Sequence, residues 1–248
     1  MKKENNRILL SVLTPTLDSR VDFFKKITNE LNRQISELPN KGEVEVLSYL
    51  DNRQKTTGFK RNALLKKSKG LFIVFVDDDD KIHKEYLFEI LKAIKNNPDI
   101  DAIGIQGLYS EDRVNYSPFE TSLKHDWETK DGWHLRTINH ISPIRREHAI
   151  KVEFPNLGYK EDFIWTMELK KTGLLKKEVV IKKPMYIYEF VADKEERMKS
   201  LTEISNEKEK HNKKKTNQKI TEESLVKQYN RNREHCDQIT NISQISHT

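Results

Sequence analysis

Residues 70–80 read GLFIVFVDDDD. A continuous apolar run, Leu71-Phe72-Ile73-Val74-Phe75-Val76, ends abruptly in four carboxylates, Asp77 to Asp80. The run is short, β-branched and aromatic, with no polar alternation. It reads as a central strand buried on both faces, the pattern of a parallel sheet in an α/β protein. Open α/β sheets bind ligands beyond the carboxyl ends of their strands, and the four aspartates fall at that edge. Adjacent carboxylates repel one another and need compensation. A hard divalent cation, Mg²⁺ or Mn²⁺, would supply it, because such ions take oxygen ligands and leave room for phosphates. The plainer reading is that Asp80 caps the next helix and the others are solvated.

The flanking sequence builds an α/β frame around this strand. Residues 7–14 (RILLSVLT) predict a first strand closed by Pro15. Phe24, Ile27, Leu31, Ile35 and Leu38 recur at helical spacing after a cap at Asp18 or Ser19. Residues 43–50 predict a second strand with Asp51 at its end, and strand, helix, strand in this order is a βαβ unit. Helices are expected at 59–69 and 81–95, and a further strand at 101–109. Residues 111–137 have weak periodicity, with aromatics scattered among charges; they predict an irregular loop that could stack or close over a ligand. Residues 138–144 predict a short extended segment, 145 onward a short helix, 154–160 a turn-rich loop. Residues 161–171 predict a helix capped by Gly173, and 178–190 one or two late strands.

Three strand ends converge on one crevice in such a frame: Thr14-Pro15-Thr16, Asp51, and Asp77-Asp78-Asp79. Asp51 could accept hydrogen bonds from a base, Asp77 or Asp78 could hold a ribose, and Asp79 a metal bridging two phosphates. Lys60 and Arg61 open a helix, the unfavourable end for positive charge unless an anion binds there. They would complete a diphosphate site. The chain has neither GxxxxGK[ST] nor GxGxxG, which counts against P-loop and Rossmann sites.

These residues resemble the family 2 glycosyltransferases of GT-A fold. The chain carries Pro15-Thr16 after the first strand and Asp51 after the second. Then follow Gly58, Arg61-Asn62-Ala63-Leu64-Leu65, and Gly70 through Asp80 without a gap. Gly158-Tyr159-Lys160-Glu161-Asp162-Phe163-Ile164-Trp165 matches the family's later acidic motif. The resemblance implies a mostly parallel central sheet flanked by helices. It implies contacts to the donor from Thr14, Pro15, Thr16, Asp51, Gly58, Lys60, Arg61, Asp77 and Asp78. Asp79 would be the metal ligand of a D-x-D pair with Asp77, using Mn²⁺ or Mg²⁺. Asp162 would be the catalytic base, with Glu161 beside it, in an inverting transfer from a nucleotide sugar, UDP-linked. His140 is a candidate extra metal ligand or acceptor contact. The family's D-G-S after the second strand is replaced here by Asp51-Asn52-Arg53.

Residues 1–192 are thus expected to form the transferase domain, with a nucleotide-binding half (1–110) and an acceptor-binding half (111–192). Residues 193–248 are charged, poor in large apolar residues, and read as a helical or disordered extension. Within it, 201–227 could be a solvated helix, and the basic run 208–219 could touch a polyanion. The net charge of +6 favours anionic ligands. A single cysteine, Cys236, excludes an internal disulfide and a cysteine-based zinc site. The N-terminal apolar run is too short for a signal-peptide core, and no segment approaches the length of a membrane span. The expected location is the cytoplasm of a bacterium or of a virus-infected cell. The acceptor would be a surface glycan or hydroxymethylated viral DNA. Two other readings share the same residues: a nucleotide- or nucleic-acid-binding module without activity, and a nucleotidyltransferase.

Overall fold

A computed structural model describes residues 7–189 and, beyond them, 201, 202, 204 and 205. Most of the C-terminal extension, including the basic run 208–219, lies outside the described residues.

The first half is built on three parallel strands. β1 (Leu10–Leu17) lies between β2 (Val44–Asp51) and β3 (Phe72–Phe75). Helix α1 (Val21–Glu37) links β1 to β2, and α2 (Thr57–Lys67) links β2 to β3. The unbroken apolar run of β3 is explained by two cores, one on each face. Phe72, Val74 and Val76 pack under α1 and under α3 (Tyr86–Asn96), whereas Ile73 and Phe75 pack toward α2 and the later α5. Buried Gln34 joins α1 to α3. It donates to the His83 carbonyl (2.9 Å) and accepts from the Leu87 amide (2.9 Å) in the first turn of α3.

Two expectations for this half change. β1 continues through Pro15 instead of stopping before it. Its pairing with β3 ends at Leu13, so Pro15 has a ladder on one side only, facing Tyr49, and its missing N–H breaks nothing on the other. The helix expected from 81 starts at Tyr86. Lys81–Ile82 instead form a two-residue strand, β4, paired with Tyr186 and Ile187 more than a hundred residues away.

The second half extends the same sheet. β5 (Ala102–Ser110) pairs in parallel with β10 (Glu178–Glu189), over nine residues with irregularities around Pro184. The stretch expected as an irregular loop holds three strands: β6 (Ser117–Thr121), β7 (Glu128–Lys130) and β8 (Trp133–Arg136). They form because β5 offers an edge: Gly107 pairs with Phe119, whose ring occupies the space a side chain at 107 would fill. β9 (Ile144–Arg145) is a short antiparallel wedge between β3 and β5. After it come α4 (Arg146–Ala149) and α5 (Glu161–Lys171), the latter with the predicted bounds. The sheet is mixed. Its long ladders are parallel, so β1, β2, β3, β5 and β10 point the same way and their carboxyl ends share one edge.

Candidate active site

Every acidic group singled out in the sequence lies at that edge or against it, and each has a distinct set of neighbours. At the end of β2, Asp51 is buried. It pairs with the Lys60 ammonium at 2.5 Å, and its other oxygen accepts from the Lys55 amide at 2.7 Å. Lys60 also donates to the Thr16 carbonyl at 2.8 Å. Lys60 and Asp51 therefore compensate each other inside the protein, and together they close the 52–56 loop. Thr14, Pro15 and Thr16 are all buried. The Thr14 hydroxyl has no partner among the described residues, and the Thr16 hydroxyl donates to Asp78 Oδ2 at 2.7 Å.

The four aspartates divide the work. Asp80 is structural: it accepts from the Tyr186 hydroxyl (2.8 Å) and the Glu189 amide (2.9 Å), which ties the turn after β3 to β10. It caps no helix, because α3 begins six residues after it. Burial, with Asp77 and Asp79 nearby, raises its pKa well above the carboxylate range. Asp78 and Asp79 share Arg20, whose terminal nitrogen contacts Asp78 Oδ1 and lies 2.7 Å from Asp79 Oδ2. Burial pushes Asp78 up to about 6 against the pull of Arg20 and the Thr16 hydroxyl, and raises Asp79 in the same way. Asp77 goes the other way. Arg61 lies 3.0 Å from its Oδ2, and with His140 alongside holds the carboxyl below its ordinary range despite burial. Its second oxygen, Oδ1, is buried without a hydrogen-bond partner among the described residues.

Arg61 also reaches α5. Its Nε lies 3.1 Å from Glu161 Oε1, in the first turn of α5. Burial and the adjacent Asp162 push Glu161 up to about 8, and Arg61 opposes them. The side chain of Asp162, the next residue, is 23% exposed, and its Oδ2 lies against the His140 ring. The His140 ring is buried between the two acids, with Nδ1 3.3 Å from Asp162 Oδ2 and Nε2 3.7 Å from Asp77 Oδ2. Among the described residues neither nitrogen makes a hydrogen bond, since the distance to Asp77 is too long and the contact with Asp162 is misaligned. A single imidazole thus separates the acids after β3 from the acid on α5.

Helix α2 is what brings them together. Gly58 accepts no side chain: a Cβ there would sit 1.8 Å from the Pro155 carbonyl oxygen, and its amide donates to the Leu157 carbonyl at 2.9 Å. The Asn62 side chain pairs with both backbone groups of Phe154, donating at 2.8 Å and accepting at 2.9 Å. Thr56 caps the helix and also donates to Asn156 at 2.6 Å. The Gly58, Arg61 and Asn62 pattern therefore fastens the loop before α5. Sequence reasoning quoted Asn62 but gave it no role. It also missed Arg20, whose only signal was a cation six residues past Thr14, and Glu189. That buried acid ends β10 and meets Lys81 (2.6 Å), Tyr116 (2.7 Å) and Arg113 (3.2 Å). Beside Asp162, the Phe163 ring meets Trp127 edge-on with centroids 4.9 Å apart.

The donor set suits a hard cation only in part. Among the described residues no group of three or more His, Cys, Asp or Glu side chains is placed to hold a metal. Asp79 and the orphaned Asp77 Oδ1 are oxygen ligands of the right kind. They fit an ion whose remaining ligands are water and donor phosphates, as Mg²⁺ sites commonly are.

The sequence profile of glycosyl transferase family 2 matches residues 23–166, from the start of α1 into α5. The chain belongs to glycosyl transferase family 2. The match takes in Arg61, the four aspartates, His140 and Asp162. No protein with a curated description matches this family 2 chain. Among solved structures it is similar to S. aureus TarS. The 1–349 fragment in complex with UDP-GlcNAc aligns at 19% identity with a TM-score of 0.53, over 77% of this chain and 61% of that one. A second structure of the 1–349 fragment gives 21% identity and 0.51, over 73% and 60%; a further TarS structure gives 21% and 0.52, over 81% and 39%. At this identity the likeness establishes the GT-A-like α/β fold, and the chain spans about 61% of the first of these structures. No helix among the described residues is long and apolar enough to cross a membrane.

Proposed function

We propose that the protein is an inverting glycosyltransferase that moves a sugar from a UDP-linked donor to a glycan hydroxyl, with Mn²⁺ or Mg²⁺. The observation that carries this reading is the meeting of two unlike acid groups across His140: Asp77 to Asp79 on one side, Asp162 on the other. One group is closely compensated by cations and hydroxyls, and the other is left accessible. An inverting transfer needs that division, because one carboxylate serves the leaving group and the second takes a proton from the attacking oxygen.

In this reading residues 1–192 form the catalytic domain, with the donor on 1–110 and the acceptor on 111–192. Asp79, with Asp77 Oδ1, would hold the cation. When bound, that cation supplies Lewis-acid neutralisation of the departing diphosphate. Asp162 accepts the hydroxyl proton of the acceptor. Glu161 and Asp77 share Arg61, so the guanidinium fixes the separation between the two halves. Asp51, Lys60 and Thr16 hold the rim on which the nucleoside would rest. The Trp127 and Phe163 pair beside the base offers aromatic surface of the kind sugar rings stack on, which favours a glycan acceptor.

The test is a panel of nucleotide sugars with Mn²⁺ or Mg²⁺, read by thermal shift and by release of free UDP. A donor at a hundredfold excess over its dissociation constant stabilises by about 2.7 kcal/mol. Asp162→Asn is expected to keep that shift and lose UDP release. Release of pyrophosphate in place of UDP would overturn the reading, as would the absence of a shift with every donor and metal.

A further inference from the structure

Arg20 sits in the turn between β1 and α1 and is the only described cation in contact with both Asp78 and Asp79. It is held unevenly. One terminal nitrogen serves both carboxylates, while Nε is buried without a hydrogen-bond partner among the described residues. The side chain remains 34% exposed and rests over the Phe23 ring at 5.8 Å, so it can swing without opening the core.

We propose that Arg20 is a displaceable counter-ion: it competes with the divalent cation for Asp79 and moves onto the donor diphosphate when cation and donor bind together. The inference rests on the reading of Asp79 as a cation ligand. Charge balance carries it. Without ligands, Arg20 offsets Asp78 and Asp79 in part, and Arg61 offsets Asp77. A divalent ion arriving alone would, with Arg20, set three positive charges against the two negative ones of Asp78 and Asp79, and would push the guanidinium away from its partners. A diphosphate arriving with the ion removes that excess. A guanidinium suits the exchange, because its planar fork binds carboxylate and phosphate oxygens in the same geometry. Arg20 thereby makes the cation and the donor each depend on the other, and such coupling is reciprocal.

The experiment titrates Mn²⁺ by electron paramagnetic resonance into the wild-type chain and Arg20→Gln, each with and without UDP. Arg20→Gln is expected to bind Mn²⁺ alone about five- to tenfold more tightly, and UDP is expected to improve its Mn²⁺ affinity by a correspondingly smaller factor, within the usual range of such couplings. Equal or weaker binding of Mn²⁺ alone by the variant overturns the proposal and leaves the role of Asp79 standing. Absence of Mn²⁺ binding by both proteins, with and without UDP, overturns both. If Arg20→Gln does not fold, Arg20→Lys keeps the charge without the fork. Because the competition is one of charge, its Mn²⁺ affinity in the absence of UDP is expected within about twofold of the wild-type value, with the gain from UDP reduced by loss of the fork; a gain from UDP equal to that of the wild-type chain overturns the proposal.

Discussion

The acids after β3 and the acids opening α5 are chemically alike and are treated in opposite ways by the fold. Asp78, Asp79 and Asp80 each have cations, hydroxyls or amides close by, drawn from β1, the following turn and β10. Among the described residues the close side-chain contact of Asp162 is with one imidazole, out of line for a hydrogen bond. What a carboxylate can do is decided by the groups that neutralise it. Density of negative charge in the sequence marks the place, and the neighbours assign the task. Glu161 and Asp162 show the same contrast within one turn: the first is buried against Arg61, the second faces outward.

The largest expected effect tests the exposed member. Asp162→Asn should lower kcat by about 10²–10⁴-fold, the range of a lost general base, with donor affinity unchanged. A fall in donor affinity of the same size would mean that the two acid groups are not separate in function. Arg61→Ala breaks the comparison from the middle. It strands buried Asp77 and Glu161 without their shared cation, and loss of one partner of a buried pair costs about 3–5 kcal/mol. Chemical denaturation should register that loss, and a value under about 1 kcal/mol would show that Arg61 is not what compensates them. Asn62→Ala removes two hydrogen bonds to Phe154 and leaves both backbone groups unmet. About 1–3 kcal/mol is expected in stability, together with a fall in kcat at unchanged donor affinity.

The smallest effect is a pH dependence. Glu161 keeps its proton in the folded chain up to about 8, whereas in the unfolded chain it loses it near the ordinary glutamate value. Its contribution to stability is therefore full at low pH and is lost as pH rises toward about 8. Glu161→Gln should leave the melting temperature little changed near pH 5 and raise it relative to wild type by pH 8. A difference that is flat across this range would place Glu161 in the ionised state throughout.

Much of this arrangement was legible without coordinates. The β3 run and its aspartates, the βαβ unit and the bounds of α5 follow from local signals: an unbroken apolar stretch, helical spacing along α1, and a glycine at 173 that closes α5. What escaped was made by distant partners. Lys81-Ile82 fit a helical pattern but pair with Tyr186-Ile187, and 117–136 becomes strands because β5 provides an edge. Lys60 and Arg61 open a helix and so need negative partners. Their actual companions, Asp51 and Glu161, lie nine and a hundred residues away. Local pattern can state that a charge needs a partner, and the folded chain alone states which.

The glycine at 58 has a consequence for how such a chain can vary. Because α2 meets the 155–157 loop backbone to backbone, the spacing between the aspartates after β3 and the start of α5 is set by a seam that no side chain can pad or trim. Variation is left to segments outside that seam, such as 111–137, while the spacing between the two acid groups stays fixed.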